Sequence, residues 1–226
     1  MGYHIDTGLI LEKFQEDCEC PLCEIQKIVE EQFLHEFLND AVMEDNTRIS
    51  VGKLGFCQKH FDMLLKRPNK LSVALQIDTW LEVNQGLYSN VTCSPSKAKK
   101  IADNLDKSLN TCAICNFLEE SMQKYYKTIA QMFVREDDFY KKLISCKGFC
   151  MHHYAELLRY SSSAGMGAKQ YVSLISDTQS RNLKRIRKEL KEFCDKHDYR
   201  NALKPLGNAE HALPKIRNKI YGEIIK

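Results

Sequence analysis

The feature that most constrains this chain is a pattern of cysteine and histidine written twice. Cys20-Pro21-Leu22-Cys23 is followed by Gly55-Phe56-Cys57-Gln58-Lys59-His60, and Cys112-Ala113-Ile114-Cys115 by Gly148-Phe149-Cys150-Met151-His152-His153. The CxxC arms are 92 residues apart and the GFCxxH arms 93. Each GFCxxH arm runs on into a leucine pair, Leu64-Leu65 and Leu157-Leu158. A third echo follows, Ala74-Leu75-Gln76-Ile77-Asp78-Thr79 against Ser173-Leu174-Ile175-Ser176-Asp177-Thr178. Near-equal spacing of the two motif pairs, with a third echo 99 residues apart, marks an internal duplication. Each copy must place its motif in the same local frame.

That frame is helical. After Cys23, apolar residues fall at Ile25, Ile28, Val29, Phe33, Phe37, Leu38 and Ala41; after Cys115 they fall at Phe117, Leu118, Met122, Tyr125, Ile129 and Phe133. This is the helical period. Leu71–Leu87 and Tyr171–Phe193 read as further amphipathic helices, and Ser161–Gly167 as a flexible loop. Little alternates with period two, so the expected fold is all-α: a duplicated helical module with a pseudo-twofold arrangement and one Cys3His site per copy. The module boundaries fall at 1–95 and 96–226, the second copy carrying a basic C-terminal helix and tail, and the whole is expected to form one unit.

Within each copy the expected ligand set is local: Cys20, Cys23, Cys57 and His60 in the first, Cys112, Cys115, Cys150 and His153 in the second. Two ligands three apart at a helix start share one face, and three thiolates with an imidazole are a recurrent closed set for zinc. Proline is tolerated at the first helical position, so Cys20-Pro21 reads as a helix start. Helix N-termini favour thiolates. A chain-length check strains this pairing. A straight helix from Cys23 to Glu44 carries the chain roughly 30 Å away, and residues 45–56 can span about 40 Å at most. Either that helix stops early, or a short return helix forms near Thr47–Lys53 and Asp137–Ile144. Zinc, two ions, is the leading metal, with an iron–sulfur cluster as the competitor. Asp78 and Asp177 are candidates to orient His60 and His153, because metal-bound imidazoles donate their other nitrogen to a carboxylate or carbonyl.

Ten cysteines stand in this chain of 226 residues. The N-terminus has no basic n-region or long apolar h-region, no stretch approaches a membrane span of ~20 apolar residues, and a cytoplasmic location is expected. Clustered cysteines there point to metal or redox chemistry rather than disulfides. Cys18, Cys93, Cys146 and Cys194 fall outside the repeated pattern and are left out of the ligand sets, although Cys18 and Cys146 lie close enough in sequence to substitute. Lys59 matches His152 in the other copy, which makes His153 the better ligand.

At this point the chain resembles an uncharacterised bacterial family marked by a repeated CPxC…GFCxxH pattern. The resemblance covers Cys20–Leu65 and Cys112–Leu158, and implies a helical fold and metal ligation at the eight residues above. It implies no activity. Ala113 stands where the first copy has Pro21, which removes no ligand.

Charge is uneven. Residues 1–93 hold 8 Lys+Arg and 15 Asp+Glu, net −7; residues 94–226 hold 25 and 15, net +10. Either the halves attract each other or the basic half meets a polyanion. Arg181, Lys184, Arg185 and Lys188 fall at i, i+3, i+4 and i+7, a candidate nucleic-acid-binding stripe near 181–191. Catalytic motifs are missing. Ala164-Gly165-Met166-Gly167-Ala168-Lys169 lacks phosphate-loop spacing, no Gly-x-Ser-x-Gly or His-Glu-x-x-His occurs, and Glu210-His211 is an isolated pair. The favoured reading is a non-enzymatic metal-binding module that interacts with a protein partner or serves regulation. A redox or metal-responsive role and nucleic-acid binding are the alternatives.

Overall fold

A computed structural model describes residue 5 and residues 7–39, 45–89, 94–196 and 210–223. The described residues form helices and turns, with no strand among them. In chain order the α-helices are α1 (Gly8–Lys13), α2 (Pro21–Asn39), α3 (Asp45–Leu54), α4 (Gln58–Leu65), α5 (Lys70–Val83), α6 (Pro95–Leu109), α7 (Ala113–Arg135), α8 (Asp137–Ser145), α9 (Met151–Arg159), α10 (Ala168–Lys196) and α11 (Ala212–Tyr221). None is long and apolar enough to cross a membrane.

The elements around the two sets of motifs follow the same order. In each copy a long helix follows the CxxC arm (α2, α7), and a short one follows it (α3, α8). The GFCxxH arm then opens another short helix (α4, α9), and the third echo lies on the next (α5, α10). The return helices therefore exist where the distance check asked for them. Ser161–Gly167 is a 3-10 segment rather than an irregular loop, with Gly165 at φ 56° inside it. α6 was not anticipated; its start is set by Ser94 at the cap and Pro95 at the first helical position.

The chain divides into two compact units, Met1–Lys27 with Met122–Lys226, and Ile28–Ser121. This differs from contiguous modules at 1–95 and 96–226. The reason lies in the long helices. At ~1.5 Å per residue, the 19 residues of α2 and 23 of α7 carry the chain about 28 and 35 Å along their axes. The 10-residue α3 and 9-residue α8 recover about half of that or less. A CxxC arm is therefore completed by the other copy's GFCxxH arm.

In the first unit, Phe14 packs edge-on against Phe139, with ring centroids 5.1 Å apart, and also meets Phe149. Tyr171 is fully buried and packs on Phe133. In the second, Phe37 meets both Phe56 and Phe117. Phe56 and Phe149 belong to the GFCxxH arms, so each of these contacts ties an arm to its own unit.

Ion pairs within the first unit answer the charge asymmetry. Acidic N-terminal residues meet basic C-terminal ones: Glu19 with Arg185 at 2.7 Å and Lys219 at 3.3 Å, and Asp17 with Lys147.

Candidate metal centres

Two turns aim the GFCxxH arms. Gly55 (φ 62°) and Gly148 (φ 81°) adopt backbone that side-chain-bearing residues rarely take. A Cβ on Gly55 would lie 2.7 Å from Trp80 Nε1, and one on Gly148 would lie 2.9 Å from Gln179 Oε1. Trp80 and Gln179 occupy matching places, two residues beyond Asp78 and Asp177. The third echo therefore seats the glycine turn. After each turn the cysteine caps a helix: Cys57 opens α4 and Cys150 opens α9, both with extended backbone. The Cys150 sulfur accepts the His153 N–H at 3.4 Å. The CxxC arms likewise sit at the starts of α2 and α7, and Cys112 Sγ accepts the Cys115 N–H at 3.5 Å.

All eight sequence-derived ligands converge, in two groups of four: Cys20, Cys23, Cys150 and His153 in the first unit, and Cys57, His60, Cys112 and Cys115 in the second. Within each group the ligand atoms lie within 4.8 Å of one another. Either group could hold a metal ion. Pairing within a copy, Cys20 and Cys23 with Cys57 and His60, is overturned. Each group joins the CxxC arm of one copy to the CxxH arm of the other, so two helix starts meet at each site.

The donors have the spacing of a small tetrahedron. In the first unit, Cys23 Sγ lies 3.8 Å from Cys150 Sγ. His153 Nδ1 lies 3.4 Å from Cys20 Sγ, 3.4 Å from Cys23 Sγ and 3.2 Å from Cys150 Sγ. In the second, Cys57 and Cys115 sulfurs are 3.8 Å apart. His60 Nδ1 lies 3.3 Å from Cys57 Sγ, 3.2 Å from Cys112 Sγ and 3.3 Å from Cys115 Sγ.

Charge explains why such a group wants a cation. In the second unit Cys112 is pulled down to about 3, chiefly by the hydrogen bond from the Cys115 thiol, whose own proton is held more tightly for the same reason. In the first unit Cys150 is lowered by hydrogen bonds from Cys20 and Cys23, which are both raised. In each group one thiolate forms beside thiols that hold their protons, Cys20 and Cys23 in the first and Cys115 in the second; a dication would let these ionise. His60 is raised to about 9: burial opposes its charge, but Cys112 and Glu30 outweigh that.

The remaining imidazole nitrogens have partners that sequence reasoning missed. His60 Nε2 meets the Glu30 carboxylate at 2.8 Å, and His153 Nε2 meets the Gln26 side-chain oxygen at 2.9 Å. Both acceptors lie on α2. Glu30 is fully buried and also accepts from Lys59 Nζ at 2.5 Å. Asp78 and Asp177, the expected partners, are exposed on α5 and α10. The usable signal was position: Gln26 and Glu30 stand three and seven beyond Cys23, on its helical face.

The two groups differ in cover. In the first unit all four ligands are buried. The chain after α11 crosses them: a Cβ on Gly222 would lie 3.6 Å from Cys150 Sγ and 3.7 Å from Cys23 Sγ. The Glu223 backbone N–H donates to Cys23, and Lys27 pairs with the Glu223 carboxylate. Lys219 is fully buried and donates to the Glu19 and Lys147 carbonyls, one on each arm. In the second unit the arms are tied by Ala113 N–H to the Gly55 carbonyl at 2.9 Å. Pro21, which matches Ala113, has no N–H for such a bond, and Lys219 ties the arms there instead. In the second unit Cys57 is half-buried and Cys115 exposed.

The other cysteines stay outside both groups. Cys18 is half-buried 3.9 Å from the Lys13 carbonyl, Cys146 is buried against the Leu143 carbonyl, and Cys194 is exposed. Cys93 lies outside the described residues. His152 lines the small cleft beside the first group without contributing to it.

The basic stripe on α10 is partly used by the fold. Arg185 is held by Glu19 and Glu189, Arg181 donates to the Ile144 carbonyl, and Lys188 lies 4.0 Å from Glu192. Lys184 is exposed; with Arg187, Tyr154 and Ser176 it lines an open groove of about 370 Å³.

A search of the curated proteins and of the solved structures finds no match to this chain. A family model matches residues 1–226, and on that match the chain belongs to a family of unknown function, DUF6062.

Proposed function

We propose that this is a zinc protein, in which one structural ion per unit pins two helix starts together, and whose helical surface serves an interaction or regulatory role. The observation that carries the reading is the donor spacing. Zinc–sulfur bonds of about 2.3 Å in a tetrahedron put sulfurs about 3.8 Å apart, and a nitrogen at about 2.0–2.1 Å lies near 3.5 Å from each sulfur. The two groups have sulfurs 3.8 Å apart and nitrogens 3.2–3.4 Å from them. That spacing suits one ion. An iron–sulfur cluster contains several metal atoms and needs its cysteines wider apart. Four protein ligands leave no open position for substrate, which argues against metal-assisted hydrolysis. Engagement of Arg181 and Arg185 within the fold weighs against nucleic acid as the partner.

Elemental analysis with an absorption spectrum tests the reading. Colourless protein with about two zinc ions per chain is the expected result. Brown protein containing iron and labile sulfide overturns it, as does protein that folds fully without metal.

A further inference from the structure

The two tetrads have the same donors but not the same exposure. In the first unit every ligand is buried, and Gly222 and Glu223 lie across the sulfurs. In the second, Cys115 is exposed and Cys57 half-buried, with their sulfurs 3.8 Å apart, while Cys112 and His60 lie beneath. A reagent in solution therefore reaches Cys115 first, and finds a second cysteine sulfur within contact distance of it.

We propose that Cys57 and Cys115 are a hydroperoxide-sensitive pair, whose oxidation to a disulfide releases the ion of the second unit while the first unit keeps its own. The proposal rests on the zinc reading above. In the first step the Cys115 thiolate attacks the near oxygen of hydrogen peroxide. The O–O bond breaks, Cys115 becomes a sulfenic acid, and the hydroxide released takes up a proton as water. In the second step the Cys57 thiolate attacks the Cys115 sulfur. The S–O bond breaks, the S–S bond forms, and the departing hydroxide is protonated to a second water. Two thiolates lose two electrons and the peroxide gains two. Zinc does not change oxidation state; it departs because its protein donors fall from four to two, Cys112 and His60.

Peroxide is the natural probe because the pair needs a small oxidant that accepts two electrons. The buried thiolates of Cys20, Cys23 and Cys150 have the same chemistry without the access, so the first unit is the internal control. Cys194, exposed and outside both groups, would react separately and is removed by Cys194→Ser.

The experiment uses the full-length Cys194→Ser chain. Metal content is measured first, hydrogen peroxide is then titrated, released zinc is followed with a chromophoric indicator, and disulfides are mapped by mass spectrometry of peptides. The expected result is release of half the bound zinc, in step with a Cys57–Cys115 disulfide, and restoration of both on adding a thiol reductant and zinc. Loss of both ions together, disulfides mapped among Cys20, Cys23 and Cys150 at the first equivalent, or retention of both ions under peroxide would overturn the proposal. Absence of metal before oxidant is added would instead overturn the zinc reading. Cys115→Ser adds a second check: any zinc it still binds in the second unit should withstand peroxide, and release at the wild-type rate would exclude Cys115 as the entry point.

Discussion

Glu30 and Gln26 hold equivalent nitrogens of the two histidines, but one is an anion and the other is neutral. A fully buried carboxylate on His60 Nε2 raises the basicity of the ligating Nδ1 and fixes the ring. Glu30→Gln should therefore weaken zinc in the second unit by about 10–100-fold while leaving the first unit unchanged. Competition titration against a chelator measures both sites, and equal weakening of both would refute the assignment. The same residue governs a pH effect. In the metal-free chain His60 is raised to about 9, by Cys112 and Glu30 against burial, so it carries a proton at neutral pH. Zinc must displace that proton as well as the one the Cys115 thiol holds, so affinity in the second unit should rise with pH from neutrality and keep rising, less steeply, above about 9. An affinity that is flat across that window would contradict the raised value. The acceptors themselves were hard to read from sequence, because glutamate and glutamine in a helix look like any solvated residues.

At the level of elements, the glycine turns decide where the GFCxxH arms point. Gly148 combines φ 81° with Gln179 Oε1 2.9 Å from any Cβ, and the same Gln179 side chain bonds both the N–H and the carbonyl of Phe149. Gly148→Ala should cost about 1–2 kcal/mol in backbone strain alone, plus whatever the displaced Gln179 loses. Thermal unfolding should show a lowered midpoint with zinc still bound, whereas an unchanged midpoint would mean that the turn relaxes freely. The helices themselves were legible, since period and the CxxC starts located α2, α5, α7 and α10, and the chain-length check located α3 and α8. The role of the third echo was not. Its aspartates drew notice because carboxylates bond histidines, yet both face outward. The residues that act are Trp80 and Gln179, an indole and a primary amide, too unlike in shape for a repeat to be recognised from them. The basic stripe failed for a related reason. Spacing gives the face of a helix, not what lies opposite, and Glu19 stands opposite Arg185.

Over the whole molecule, the eight residues that converge in the two groups were readable and their pairing was not. Equal spacing in two copies fits local pairing and exchanged pairing equally well. Only the lengths of α2 and α7 discriminate, and they are fixed by where those helices stop. Exchange makes a simple expectation for double variants. Cys20→Ala with Cys150→Ala should leave about one zinc per chain, whereas Cys20→Ala with Cys57→Ala should leave none. Local pairing demands the opposite for the second double variant, with one ion kept. Metal analysis of the two proteins decides between them.

The division of the chain also orders its synthesis. The second unit is one continuous stretch, Ile28–Ser121, but the first gathers Met1–Lys27 with Met122–Lys226. On a ribosome, Cys20 and Cys23 emerge first and wait, since Cys150 and His153 come long afterwards. Cys57, His60, Cys112 and Cys115 are all present before then, and contiguous units fold as they are made. The open site in the middle of the chain is thus complete during translation, and the covered one only near its end. A nascent chain meeting an oxidant at that stage would have Cys20 and Cys23 made, and the Gly222–Glu223 segment that crosses their site not yet translated.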